Sequence, residues 1–221
     1  MASTASHAAP TRQAVDGRHL RGLRTKDALA DALLALLSEG ELRPTAQRIA
    51  QRAGVSLRVV FHHFADLDLM FAAAADRQIS QLLPALPPIP EGGPAEDRLR
   101  AFILWRTDLL ERIAPVRRAA LMAAPYADVV ADRLHGVAEW KRNAETSIFA
   151  HELSTLAPEQ RAEVTAALAA AAGFSAWETL RLHQKFTVRD ARRIVARTVA
   201  AILGVAVAPS WLDSLAHGEV G

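Results

Sequence analysis

The chain of 221 residues has no cysteine, which excludes disulfides and thiolate metal sites and accords with a cytoplasmic protein. It lacks any apolar run long enough to span a bilayer. Met1 to Gly22 also lacks the continuous apolar core of a secretory signal peptide, so no membrane partner is expected. A Gly-rich phosphate loop is missing too, and the histidines do not pair as ligands. His62 and His63 are adjacent, pointing about 100° apart on a helix, and His151 beside Glu152 has the same defect. Neither a catalytic centre nor a metal or cofactor is therefore expected, although a site assembled in space from His135, His183 and acids would leave no local motif. Strand-like alternation and internal repeats are absent. What is present is helical periodicity, and the chain reads as an all-α protein of about nine helices.

The most informative stretch is Thr45 to Phe64, TAQRIAQRAGVSLRVVFHHF. Thr45 after Pro44 is a good N-cap, and Ala46, Ile49, Ala50 and Ala53 form one apolar stripe. Gly54 stops that helix in the left-handed conformation, Val55 plugs the turn, and Ser56 caps a second helix running to Phe64. In the second helix Val60 and Phe64 should face the core. Leu57, Arg58, Phe61 and His62 then form the opposite surface, with Val59 and His63 at its margins. That is a cationic and aromatic face on an element short enough to enter a major groove. Any packed pair of helices with a glycine turn would look similar. Arg24 to Ser38, however, carries Leu29, Leu33 and Leu36 on one stripe and can cover the pair, making a local three-helix unit.

At this point the chain resembles the TetR family of bacterial regulators. The signature is a threonine-led helix, Ala-Gly-Val-Ser, then an aromatic, two residues, His-Phe or similar, and a short fourth helix. Gly54, Val55, Ser56, His63 and Phe64 match it, and the motif covers roughly the first third of the chain. The resemblance implies a helix-turn-helix DNA-binding domain over 23–70. Its contact set would be Thr45, Gln47 and Arg48 on the first helix, with Ser56, Leu57, Arg58, Val59, Phe61, His62 and His63 on the second. Three positions depart from the family: Val59 replaces a usual threonine, Phe61 a tyrosine, and Leu67 a lysine. Each departure removes a contact to phosphate oxygens. Arg58, often a small residue in the family, adds a guanidinium that can grip a phosphate or the edge of guanine. Two readings follow: a variant docking mode, or a TetR-like protein that has lost specific DNA binding and acts as an interaction or ligand-binding module.

Charge is unevenly placed. Nine of the 26 Lys and Arg residues and five of the 24 acids lie at or before Phe64, a balance of +4, so seventeen basic and nineteen acidic residues follow at −2. A basic head on an acidic body suits a protein that offers one end to a polyanion. Residues 1–22 have no apolar periodicity and read as flexible; Arg12, Arg18, Arg21 and Arg24 make an arm that could reach phosphates or a minor groove, and a disordered terminus with incidental arginines is the alternative.

The remainder, 71–221, reads as a helical regulatory and dimerisation domain with a Pro/Gly-rich loop at 84–94. Helices are expected over 95–114, 115–124, 126–156, 158–182 and 187–204, with Pro115 as a break. The periodicity leaves the tail from Val205, with Pro209 and Trp211, unassigned. Alanine-dense segments in the last two expected helices, Ala166 to Ala172 and Ala191 to Ala201, suit close helix approach. In TetR-like proteins such helices form a homodimer, which reads a palindromic operator in double-stranded DNA; intrachain packing would use the same residues. Large side chains concentrate elsewhere, and an effector pocket is expected from Trp105, Asp108, Leu109, Met122, Trp140, Asn143 and Trp177, with an apolar or aromatic ligand. The resemblance favours a repressor released by that ligand.

Overall fold

A computed structural model describes residues 12–90 and 92–215, and among these every regular element is helical. The chain divides into two compact units, Met1–Gln78 and Ile79–Gly221. The boundary lies eight residues later than the sequence motif suggests, and Arg77 explains why. Its guanidinium engages Asp31 and lies 3.1 Å from an Asp27 oxygen, tying the fourth helix to the first beyond the motif's end.

In the first unit α1 (Arg12–Ser38) is followed by α2 (Ala46–Ala53), α3 (Leu57–His63) and most of α4 (Leu67–Leu82). Leu29, Leu33, Leu36 and Leu37 of α1 are buried together with Ile49, Val60 and Met70. The α1 helix starts at Arg12, so the flexible arm expected over 1–22 is helical from that residue onward; Met1 to Thr11 lie outside the described residues. Periodicity could not reveal this extension, because upstream of Leu29 the described side chains are largely exposed, Leu20 and Leu23 included. Once the Leu29–Leu37 turns are fixed by packing, adding turns costs far less than nucleating them.

The α2–α3 turn follows from its caps. Thr45 Oγ1 accepts the Arg48 N–H at 3.2 Å. Gly54 sits at φ +68°, the Gly54 and Val55 amides donate to Gln51 and Ala50 carbonyls, and the helix closes in a glycine motif that a side chain would strain. Ser56 takes the extended N-cap conformation of α3, but its hydroxyl makes no capping bond.

The second unit is built around α5 (Ala95–Ala123), which runs unbroken through Pro115. The expected break is absent because buried side chains hold the helix on both sides of the proline: Leu109, Leu110 and Ala114 before it, Val116 and Ala119 after it. Their burial offsets a proline cost of roughly 3 kcal/mol. Next come α6 (Asp128–Ile148) and α7 (Ala150–Ser154), where one helix was expected. The interruption is at Phe149, whose ring is buried edge-to-face on Phe102 at 5.2 Å. The helix expected over 158–182 is likewise divided into α8 (Pro158–Ala171) and α9 (Phe174–Glu178), which passes into a π turn, Thr179–His183. Gly173 separates them: a Cβ there would lie 2.8 Å from the Ala169 carbonyl oxygen.

The end of α8 is capped by cations. Arg106 Nε donates to the Ala172 carbonyl at 2.9 Å and Lys141 Nζ to the Ala169 carbonyl at 2.6 Å, satisfying acceptors a helix C-terminus leaves open. Buried Glu145 offsets their charge, with Oε1 3.0 Å from Lys141 and 3.7 Å from Arg106. Burial pushes the Glu145 carboxyl up to about 7 against the pull of Arg106. It also brings Arg106 down to about 10.

Thr187 caps α10 (Val188–Leu203), which ends at Gly204 with φ +68°. The tail then forms α11 (Pro209–Ser214), and the buried Leu212 and Leu215 join the core of α5, α8 and α10. No helix among the described residues is long and apolar enough to cross a membrane.

Candidate nucleic-acid interface and ligand cleft

The face of α3 is divided as its spacing requires. Val60 and Phe64 are buried, while Leu57, Arg58, Phe61 and His62 are exposed, Phe61 by 52%. Ser56 is exposed at the start of the helix, and Val59 and His63 are half-buried at the edges of the face. On α2, Thr45, Gln47 and Arg48 are exposed as well. A seven-residue helix is about 10 Å long, and B-DNA's major groove is roughly 12 Å wide. Arg58 makes no hydrogen bond or ion pair among the described residues, so its guanidinium is available to an outside acceptor.

Several features change the electrostatics of this surface, and the sequence did not foreshadow them. Arg48 is paired: its Nη2 lies 3.2 Å from Glu41 Oε2. Arg52 makes a two-pronged contact with Glu39 at 2.9 and 2.6 Å, and Asp66 Oδ1 accepts the Leu69 N–H at 2.8 Å. Asp66 therefore caps α4 and places a carboxylate next to Leu67, where the family's lysine would stand. Exposed Arg43, beside Pro44 at the entrance to α2, is a further cation outside the expected set. The two histidine rings meet edge-to-face at 5.1 Å. Burial, then His62 and Lys26, holds the His63 imidazole below its ordinary pKa. At neutral pH His63 is an uncharged donor and acceptor rather than a cation.

The seven residues expected to bind an effector are not brought together. Trp177 is 1% exposed in the core, with Nε1–H donating to Glu111 Oε1 at 2.7 Å. Glu111 also accepts from Arg181 at 2.8 Å; burial pushes its carboxyl up, but these hydrogen bonds bring it below the ordinary value. Trp105 is half-buried on α5, and Asp108 accepts from Arg112 at 2.9 Å. Met122 and Asn143 are exposed.

Leu109 and Trp140 do share a cleft, of about 350 Å³, with Ile79, Leu83, Arg133, Gly136 and Val137. Its walls are mainly hydrocarbon, and Leu109 is buried at its base. Five of these residues were missed, although a signal existed. Arg133, Gly136, Val137 and Trp140 recur at three- and four-residue spacing on α6, on a stripe that adjoins the one through Val130 and Leu134.

No protein-family model and no curated protein matches the chain. Its fold is similar to that of a transcriptional regulator from Rhodococcus sp. Rha1, with a TM-score of 0.67 and 22% identity, over 83% of this chain and 99% of that one.

Proposed function

We propose that the protein is a DNA-binding transcriptional regulator of the TetR type, a homodimeric repressor that leaves a palindromic operator when a small apolar or aromatic molecule binds. The observation that carries this reading is the division of α3. Val60 and Phe64 anchor the helix, and Leu57, Arg58, Phe61 and His62 are left exposed on the opposite face. The likeness in fold to a transcriptional regulator is consistent with it.

A dimer would double the short reading surface and place two α3 helices in successive major grooves. Part of the alanine content is already spent within the subunit, where Ala191, Ala196 and Ala200 of α10 are buried. The exposed small residues left for a partner include Ala162, Ala166, Ala167 and Ala170 on α8 with Thr198 and Ala201 on α10. The protein acts by binding rather than catalysis on this reading.

A second reading is favoured by specific contacts: Arg48 and Arg52 are held by Glu41 and Glu39, and Asp66 stands at the start of α4. These fit an interaction module that no longer reads DNA. Selection from genomic fragments followed by footprinting at about 0.15 M salt separates the two. The regulator reading expects a discrete protected site that Arg58→Ala and Arg48→Ala weaken. No discrete protection, with wild type and variants binding fragments alike, would establish the second reading instead.

A further inference from the structure

The α6 cleft has more chemical character than an apolar groove. Leu109, Val137 and Ile79 supply hydrocarbon, and Trp140, 48% exposed, supplies an aromatic face at the rim. A Cβ built on Gly136 would meet no atom within 4 Å, so the α6 backbone borders open space there. Among the described residues that line the cleft, Arg133 alone carries a charge.

We infer that this cleft takes a small organic carboxylate with an aromatic or branched hydrocarbon body. Its volume of about 350 Å³ falls within the range of roughly 300–1,000 Å³ typical of small-molecule sites. The apolar walls reward a hydrocarbon body, and a guanidinium matches a carboxylate through two parallel N–H donors. Arg133 already engages another group, and a guanidinium carries five N–H donors in a fixed fork, enough to serve two acceptors. Burial lowers the pKa of Arg133, so this cation is partly stripped of water at the cleft wall, where an incoming anion would compensate it. An ammonium compound of the same shape would instead be repelled, and a neutral one would forgo the charge-assisted bonds.

The inference rests on the regulator reading only for what occupancy does, not for what the cleft binds. Calorimetric titration of the full chain with 3-phenylpropionate, 3-phenylpropan-1-ol and 3-phenylpropylamine tests it. Saturable binding of the acid is expected, weakened roughly tenfold or more by Arg133→Gln and lost in Gly136→Leu, whose side chain enters the open space. Both variants are checked for a melting transition no lower than that of the wild type, Gly136→Leu being expected to melt somewhat higher because it replaces a helical glycine. The alcohol should bind more weakly and ignore Arg133→Gln, and the amine should bind no better than the alcohol. Equal binding of all three compounds, acid binding unaffected by either substitution, or no acid binding would overturn the inference. Gel retardation of the selected DNA on the same samples keeps the two claims apart. Acid binding that leaves the DNA complex intact, or that occurs where no complex forms, refutes the regulatory reading and leaves the carboxylate site standing.

Discussion

Two glycines of the second unit should respond in opposite directions to the same substitution. Gly136 lies in the interior of α6 on an exposed position, and an added Cβ meets nothing within 4 Å. Alanine there should gain the helix-propensity difference, about 0.8–1.0 kcal/mol. Gly173 has φ −82° and ψ 162°, which any residue can adopt, so backbone strain does not decide its case. Space decides it: its Cβ would stand 2.8 Å from the Ala169 oxygen and 3.0 Å from the Ala170 oxygen, both backbone atoms. The contacted Ala169 carbonyl is held by Lys141 and the nearby Ala172 carbonyl by Arg106, so relief by movement would disturb buried charges. Overpacking of this kind costs about 1–3 kcal/mol, against about 0.4–1 kcal/mol gained by restricting the unfolded chain. Gly173→Ala should thus lose about 1–2 kcal/mol. All four tryptophans, Trp105, Trp140, Trp177 and Trp211, lie in the second unit, so urea unfolding followed by tryptophan emission reports on it selectively. With an m-value of about 1–3 kcal/mol/M, the midpoint should rise by about 0.3–1 M for Gly136→Ala and fall by a similar or larger amount for Gly173→Ala. Shifts of the same sign would refute the reasoning.

Other consequences are testable in parallel. Glu41→Gln releases Arg48 from its exposed partner; such pairs are worth at most about 1 kcal/mol, so DNA affinity should rise up to about fivefold, and the gain should vanish in an Arg48→Ala background. Loss of a phosphate contact in Arg48→Ala should also flatten the dependence of log affinity on log salt by about 0.9. Because the folded state holds the Glu145 proton up to about pH 7 and the unfolded chain releases it near 4.3, stability should fall as pH rises through this window, at no more than about 1.4 kcal/mol per unit. Glu145→Gln should remove that slope in melts at pH 5, 6, 7 and 8, and an unchanged slope would place its origin elsewhere.

The elements legible in sequence were those whose determinants are local. Thr45, Gly54 and the Val60/Phe64 spacing specify α2 and α3 within twenty residues, and the all-α class follows from periodicity alone. Features set by tertiary packing were not legible. Pro115 resembles a break until the buried residues flanking it are known, and Phe149 interrupts a helix because Phe102 is there to receive it. Arg48 resembled a ready phosphate ligand, yet its pairing with Glu41 depends on how the α1–α2 connection folds. Trp177 and Trp140 are alike as sequence signals, but one is core and the other rims a cleft, and the Trp177 N–H finds its acceptor on Glu111, 66 residues earlier in the chain.

The central claim, that the exposed face of α3 reads DNA, is tested most directly by a ratio of affinities. Binding to a selected site and to a scrambled duplex of equal length should be measured at one stated salt concentration, for wild type and Arg58→Ala. The account predicts a ratio of about a thousand or more for the wild type, reduced by Arg58→Ala. A wild-type ratio near one, unchanged by the substitution, would contradict it.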